Sequence, residues 1–159
     1  MYLSRIRLNE NRRETMRALS FPQILHGAIE KAFRGERRRN LWRIDYLNGN
    51  CYLLILSPQP PDLTHIAEQF GYPSAEPLWE TGNYNKLLET LKTGQKWRFR
   101  LCANPVRSSP VDGERGKVHA HVTPQQQKQW LISRANKYGF SLNENSFDIV
   151  ENRWKIFSK

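Results

Sequence analysis

Asn48-Gly49-Asn50 stands between two strand-like runs, residues 41–47 and 51–57, and no other stretch leaves this chain so few ways to fold. Both Asn and Gly tolerate positive φ, so an Asn-Gly pair closes a two-stranded hairpin whose twist suits its flanks. Residues 2–8 alternate as a first strand, with Ile6 and Leu8 on one face and Arg5 and Arg7 on the other. Residues 9–20 are polar and helix-prone. Residues 21–35, FPQILHGAIEKAFRG, follow as an amphipathic helix: Pro22 suits a first helical position, Gly35 suits its close, and Leu25, Ala28, Ile29, Ala32 and Phe33 recur at three-and-four spacing.

Past the hairpin, residues 58–61 carry prolines that break the strand. Asp62 can cap a helix running to Phe70, with Gly71 as its stop. An extended stretch at 77–81 completes the order strand, helix, two-stranded hairpin, helix, strand. That is the βαββαβ unit of a ferredoxin-like, RRM-like domain. The expected fold class is therefore α+β, with tandem ferredoxin-like domains at residues 1–90 and 91–159, the second incomplete.

In the second half, residues 96–102 alternate, with Trp97, Phe99 and Leu101 opposite Arg98 and Arg100. Residues 108–117 read as a charged loop, and 118–122 as a short strand. Thr123-Pro124-Gln125-Gln126 has the chemistry of a capped helix opening. That helix runs to Tyr138 and stops at Gly139. Residues 140–142, 147–150 and 154–157 supply further strand material, and the chain ends before a second βαββαβ unit is complete.

Twenty-five Lys and Arg against 15 Asp and Glu give a net charge of +10 over 159 residues. The arginines are clustered, and a domain-sized surface with that field attracts polyanions, nucleic acid above all. No run of eighteen apolar residues exists, and MYLSRIRLNE lacks the apolar core of a signal peptide. The expected location is the cytoplasm. Cys51 and Cys102 have no C-x-x-C spacing and read as buried reduced thiols.

Metal-free RNA cleavage needs a base for the 2′-hydroxyl, an acid for the departing 5′-oxygen and a cation at the phosphate. Histidine is suited to the proton transfers, and lysine or arginine to the charge. His26 lies about 100° around the helix from Leu25, at the border of core and solvent. It shares the helix with Lys31 and precedes the basic cluster Arg37, Arg38, Arg39 and Arg43. The plainer reading of such a histidine is an ordinary surface side chain. His65 reads as structural or exposed. His119 and His121 share a strand face but have no matched third and fourth ligand, so no metal or other cofactor is expected. Arg5 and Arg7 read as the outward side of an edge strand.

MYLSRIRL, FPQILHGAIEKAF, NLWRID, KWRFRLCANPVR and TPQQQKQWLISRANKYGF occur in the order seen in the CasE family, the endoribonuclease of type I-E CRISPR systems. The ordered set spans nearly the whole chain, and RFRLCANP is its most specific piece. The resemblance implies two ferredoxin-like domains and a metal-independent enzyme that cuts CRISPR precursor RNA at the base of each repeat hairpin. It implies that the enzyme stays on its product within the multi-subunit complex called Cascade. It places the active-site histidine on His26 and a helix lysine on Lys31. Basic loops and a second-domain hairpin contact RNA in the family, which makes Arg98, Arg100, Arg107, Arg115, Lys117, Lys155 and Lys159 candidates.

Two departures stand out. Some relatives carry a tyrosine three residues before the histidine, where this chain has Gln23. Relatives also continue for a further helix and strand with a glycine-rich loop, so the chain reads as C-terminally shortened, a fragment or half of a split protein. An incomplete second sheet would invite a dimer or a partner strand. The rival expectations are a non-catalytic RNA-binding or scaffolding protein of the same fold and, less suited to these residues, an RNA-recognition-motif adaptor.

Overall fold

The computed structural model describes residues 1–33, 39–111 and 113–153, with the backbone alone for Val111, Glu114 and Arg115. The chain divides into two compact units, Met1–Lys96 and Trp97–Lys159. The division falls six residues beyond the expected 90/91 boundary.

The first unit follows β1 (Tyr2–Arg7), α1 (Arg13–Ser20), α2 (Pro22–Lys31), β2 (Leu41–Leu47), β3 (Asn50–Ser57), α3 (Thr64–Phe70), β4 (Glu80–Asn83) and a short α4 (Asn85–Glu89). The strands form one sheet in the order β2-β3-β1-β4, and every pairing is antiparallel. This is the ferredoxin-like arrangement, with the helical stretch expected between the first two strands broken at Phe21 into α1 and α2. The hairpin closes as its residues require: Asn48 has φ 51° and Gly49 φ 75°, and Leu47 pairs with Asn50.

β1 is interior to the sheet, between β3 and β4. The edge position expected for Arg5 and Arg7 is therefore corrected. Their side chains still leave the face that carries no core: Arg5 meets Glu80 through two hydrogen bonds of 2.8 and 3.1 Å, and Arg7 stacks on Tyr72 at 4.8 Å. The opposite face is the core. Ile6, Leu8, Leu53 and Ile55 are buried there with Leu25 and Ile29 of α2 and Ile66 and Phe70 of α3. Ser4, buried in that face, shares a 2.8 Å hydrogen bond with Thr81.

Gly71 ends α3, but not by a left-handed turn, since its φ is −106°. A Cβ there would meet the Arg7 carbonyl oxygen at 3.0 Å and the Ala67 backbone at 3.1 Å, so close approach is what requires glycine.

The second unit holds a hairpin, β5 (Val106–Val111) with β6 (Glu114–Ala120), and the helix α5 (Pro124–Ala135), continued by a 3-10 turn at Asn136–Tyr138. Three expectations are corrected here. Residues 108–117 are strand and turn, not loop. Gly113 takes φ 75° in the turn, and Pro110 sits in a strand of a two-stranded sheet, where a missing N–H costs least. Residues 96–102 are not a strand, nor are 140–142 and 147–150. Alternation specifies a strand only when a neighbour completes its ladder, and among the described residues none pairs with these segments. Trp97, Phe99 and Leu101 consequently stay about half exposed, with Phe99 packed edge-on against Phe140. The residues expected as a strand at 154–157 lie outside the described residues. The helix opening is as read: Thr123 and Gln126 close a full capping box, and Gly139, φ 80°, ends the 3-10 turn.

Cys51 is buried in the sheet face, whereas Cys102 is exposed, so only one of the two expected buried thiols is buried. Burial pushes the Cys51 thiol up, partly offset by its contact with Tyr46. At pH 8 a thiol reagent should modify Cys102 in the native protein and reach Cys51 only in denaturant. Mass spectrometry showing two modified sites in native buffer would contradict this packing.

Candidate active site and nucleic-acid interface

α2 carries the candidate site, and its anchoring fixes the backbone from which the exposed side chain projects. Pro22 occupies its first turn, and Leu25, Ala28 and Ile29 are buried beneath it. At its far end the Ala32 N–H donates to the Ile29 carbonyl at 3.0 Å, so the last turn tightens. Nε2 of His65 on α3 lies 2.9 Å from the Ala28 carbonyl oxygen and donates to it. The Asp62 N–H donates to the Ala32 carbonyl at 3.0 Å. Two carbonyls in the last turn of α2 thus accept from the segment that opens α3. His65 is half-buried, and this bond gives the structural reading of that residue a definite role.

The other end of α3 is closed from α1. The Phe70 carbonyl accepts from the Asn9 N–H at 2.9 Å and from the buried Thr15 hydroxyl at 2.8 Å. Asp62 Oδ1 accepts from both the backbone N–H and the hydroxyl of Thr64, at 3.1 and 2.7 Å.

His26 is exposed on this braced helix, two residues before the carbonyl that His65 holds, and it has no hydrogen-bond partner among the described residues. Next to it Gly27 is also exposed, with open space where a Cβ would stand. Lys31, the last residue of α2, is exposed as well. At helical pitch the two lie about 140° apart and about 7.5 Å along the axis. They border one exposed arc, with Gln23 between them, and are not stacked as a pair. Lys31 also stands where the helix dipole favours a cation, which accounts for it without chemistry.

The expected basic residues divide into groups. Arg39 is exposed. Arg43 on β2 is half-buried and ion-paired with Asp45 at 3.2 Å. Arg98 and Arg100 are exposed on the irregular segment that replaces the expected strand. The β5–β6 register sets Arg107 opposite His119 and Ser109 opposite Lys117, so Arg107, Lys117 and His119 share one face of the hairpin. All three are exposed. His119 was not among the expected nucleic-acid contacts, although the alternation of Lys117, His119 and His121 carried the signal. His121 lies just beyond β6, its N–H bonded to the Pro105 carbonyl. Arg37, Arg38, Lys155 and Lys159 lie outside the described residues, as does the side chain of Arg115. No helix among the described residues is long and apolar enough to cross a membrane.

Comparison with known proteins matches residues 1–159 to the family model described as CRISPR associated protein. A curated relative, the CRISPR-associated endoribonuclease Cse3 of Thermus thermophilus, is 31% identical over 150 residues. The match takes in 91% of this chain and 66% of that relative, so the chain spans about two thirds of the relative's length. Among solved structures, CRISPR endoribonuclease Cse3 bound to 19 nt RNA superposes with a TM-score of 0.68 at 28% identity, over 91% of this chain and 71% of the other. Thermus thermophilus Cse3 bound to an RNA representing a pre-cleavage complex gives 0.69 at 29% identity, over 89% and 67%.

Removing the His65 donor breaks the one side-chain bond between α3 and the Ala28 carbonyl among the described residues. His65→Ala should lower the urea midpoint by the equivalent of about 1 kcal/mol with the slope unchanged. An unaltered midpoint would deny the bond any part in holding α2.

Proposed function

The chain belongs to the CRISPR-associated protein family, and from that premise we propose that it is a CasE-type endoribonuclease. Its substrate is CRISPR precursor RNA, cut at the base of each repeat hairpin without a metal ion. The observation that carries the reading is His26, exposed and unpartnered on a helix whose buried side and far end are both held. An imidazole so placed is open to a ribose, and the backbone that carries it is held, so that substrate contacts alone have to orient the ring for proton transfer.

In the proposed step the 2′-hydroxyl attacks the adjacent phosphorus and the bond to the 5′-oxygen breaks, leaving a 2′,3′-cyclic phosphate. One proton leaves the nucleophile and one arrives at the leaving oxygen. His26 carries one of these transfers as general base or acid. Lys31 or a nearby arginine steadies the phosphate charge. Because Lys31 stands at the far border of the exposed arc, its role is with a phosphate that reaches across α2, not with the imidazole itself.

The proposed RNA contacts are Arg37, Arg38, Arg39, Arg43, Arg98, Arg100, Arg107, Arg115, Lys117, Lys155 and Lys159. Arg107 and Lys117, with His119 beside them, suit a backbone track of alternating phosphates. Arg43 would exchange its ion pair with Asp45 for phosphate. Retention of the product within Cascade belongs to the same proposal. So does a partner strand or dimer at the two-stranded sheet, which has unpaired edges among the described residues.

A second reading, RNA binding without cutting, is favoured by Gln23. It stands one turn before His26 on the same exposed arc, and its amide can neither take nor give a proton at neutral pH.

With a repeat-hairpin RNA in excess chelator, the unmodified chain should cut at one position and leave a cyclic phosphate. His26→Ala should slow the cut by about 10²–10⁴-fold with RNA affinity nearly unchanged. A requirement for added divalent metal would remove the mechanism. Tight binding with no cut by the unmodified chain would favour the second reading.

A further inference from the structure

The second unit contains an open groove of about 780 Å³ between β5 and α5, within the size range of small-ligand sites. Its lining is one-sided in charge. Arg107, His121 and Arg134 stand in it with glutamine, serine and threonine side chains, and among the described residues no carboxylate does.

α5 shows how the lining is built. Residues four apart share a helix face, so Gln126, Trp130 and Arg134 form one row and Gln125, Gln129 and Ser133 the next. The first row is structural. Gln126 closes the capping box, and Trp130 Nε1 donates to the Val106 carbonyl at 3.2 Å, seating the helix on the hairpin. Arg134 lies over the Trp130 ring at 4.7 Å. Its Nε is buried without a hydrogen-bond acceptor among the described residues, so a cationic donor is held in the groove wall unsatisfied. In the second row the Ser133 hydroxyl donates to the Trp130 carbonyl at 2.9 Å, whereas the Gln125 and Gln129 amides are exposed and make no hydrogen bond among the described residues.

We propose that this groove binds single-stranded RNA, one or two unstacked nucleotides at a time. The phosphate would meet Arg107 and Arg134, the base would lie against the Trp130–Arg134 pair, and its edge would meet the Gln125 and Gln129 amides. Single-stranded bases are recognised in this way, by stacking on aromatic or guanidinium planes and by hydrogen bonds to their edges. A duplex cannot offer those groups to a recess of this size. The inference deepens the RNA-binding side of the reading above and does not depend on the cutting step.

The test is fluorescence anisotropy with a labelled single-stranded RNA heptamer at low salt, comparing the unmodified chain with Gln125→Glu/Gln129→Glu. Gln125 lies in the first turn of α5, where the dipole favours a carboxylate, and glutamate is as good a helix former as glutamine, so the variant keeps its fold. The expected result is a loss of more than tenfold in affinity. A control of equal charge change in the first unit, Asn11→Asp/Gln69→Glu, should lose less than threefold. Equal losses in both variants, unchanged affinity in the groove variant, or no saturable binding by the unmodified chain would each overturn the proposal. Hairpin cleavage without heptamer binding defeats the groove alone. Groove-dependent heptamer binding without hairpin cleavage defeats the nuclease alone.

Discussion

Everything in the first unit depends on β1 being paired on both sides. A strand hydrogen-bonded to β3 along six residues and to β4 along four cannot shift by one residue without exchanging its two faces. Ser4, Ile6 and Leu8 would then exchange places with Leu3, Arg5 and Arg7. The register therefore commits one face of the sheet to the helices and leaves the other to charge, aromatic stacking and solvent. α2 can present His26 outward only because Leu25 and Ile29 have that core face to enter.

The second constraint is the closing of helix ends. In a small α+β unit the helices are short, and each leaves unpaired carbonyls that burial makes costly. Here α2 is closed by Asp62 and His65, and α3 by Asn9 and Thr15. These bonds run between elements, so α1, α2 and α3 brace one another as well as packing on the sheet. Rigidity beneath an exposed imidazole follows from bonds that do not touch the imidazole.

The second unit is organised differently. A two-stranded hairpin is marginal alone, and α5 supplies the support through Trp130 against the Val106 carbonyl. The basic face of the hairpin and the groove meet at Arg107, which belongs to both. Arg107, Lys117 and His119 share one surface, and α5 defines the concavity beside β5 into which Arg107 also reaches.

Local chemistry in the sequence was sufficient for the Asn48-Gly49 turn, the capping box at Thr123, the alternation of β1 and the apolar stripe of α2, because each is decided within a few residues. It also placed His26 at a solvent border, since helical pitch and the buried stripe leave little choice. Tertiary structure alone decided what depends on a neighbour. Residues 96–102 alternate as a strand would, yet no ladder completes them. Residues 108–117 carry Gly and Pro as a loop would, yet pairing makes them strands. β1 became an interior strand because β4 returned to its free side. His65 acquired its role from a carbonyl 37 residues away in the chain. Periodicity states which faces a segment has, and only packing states what each face meets.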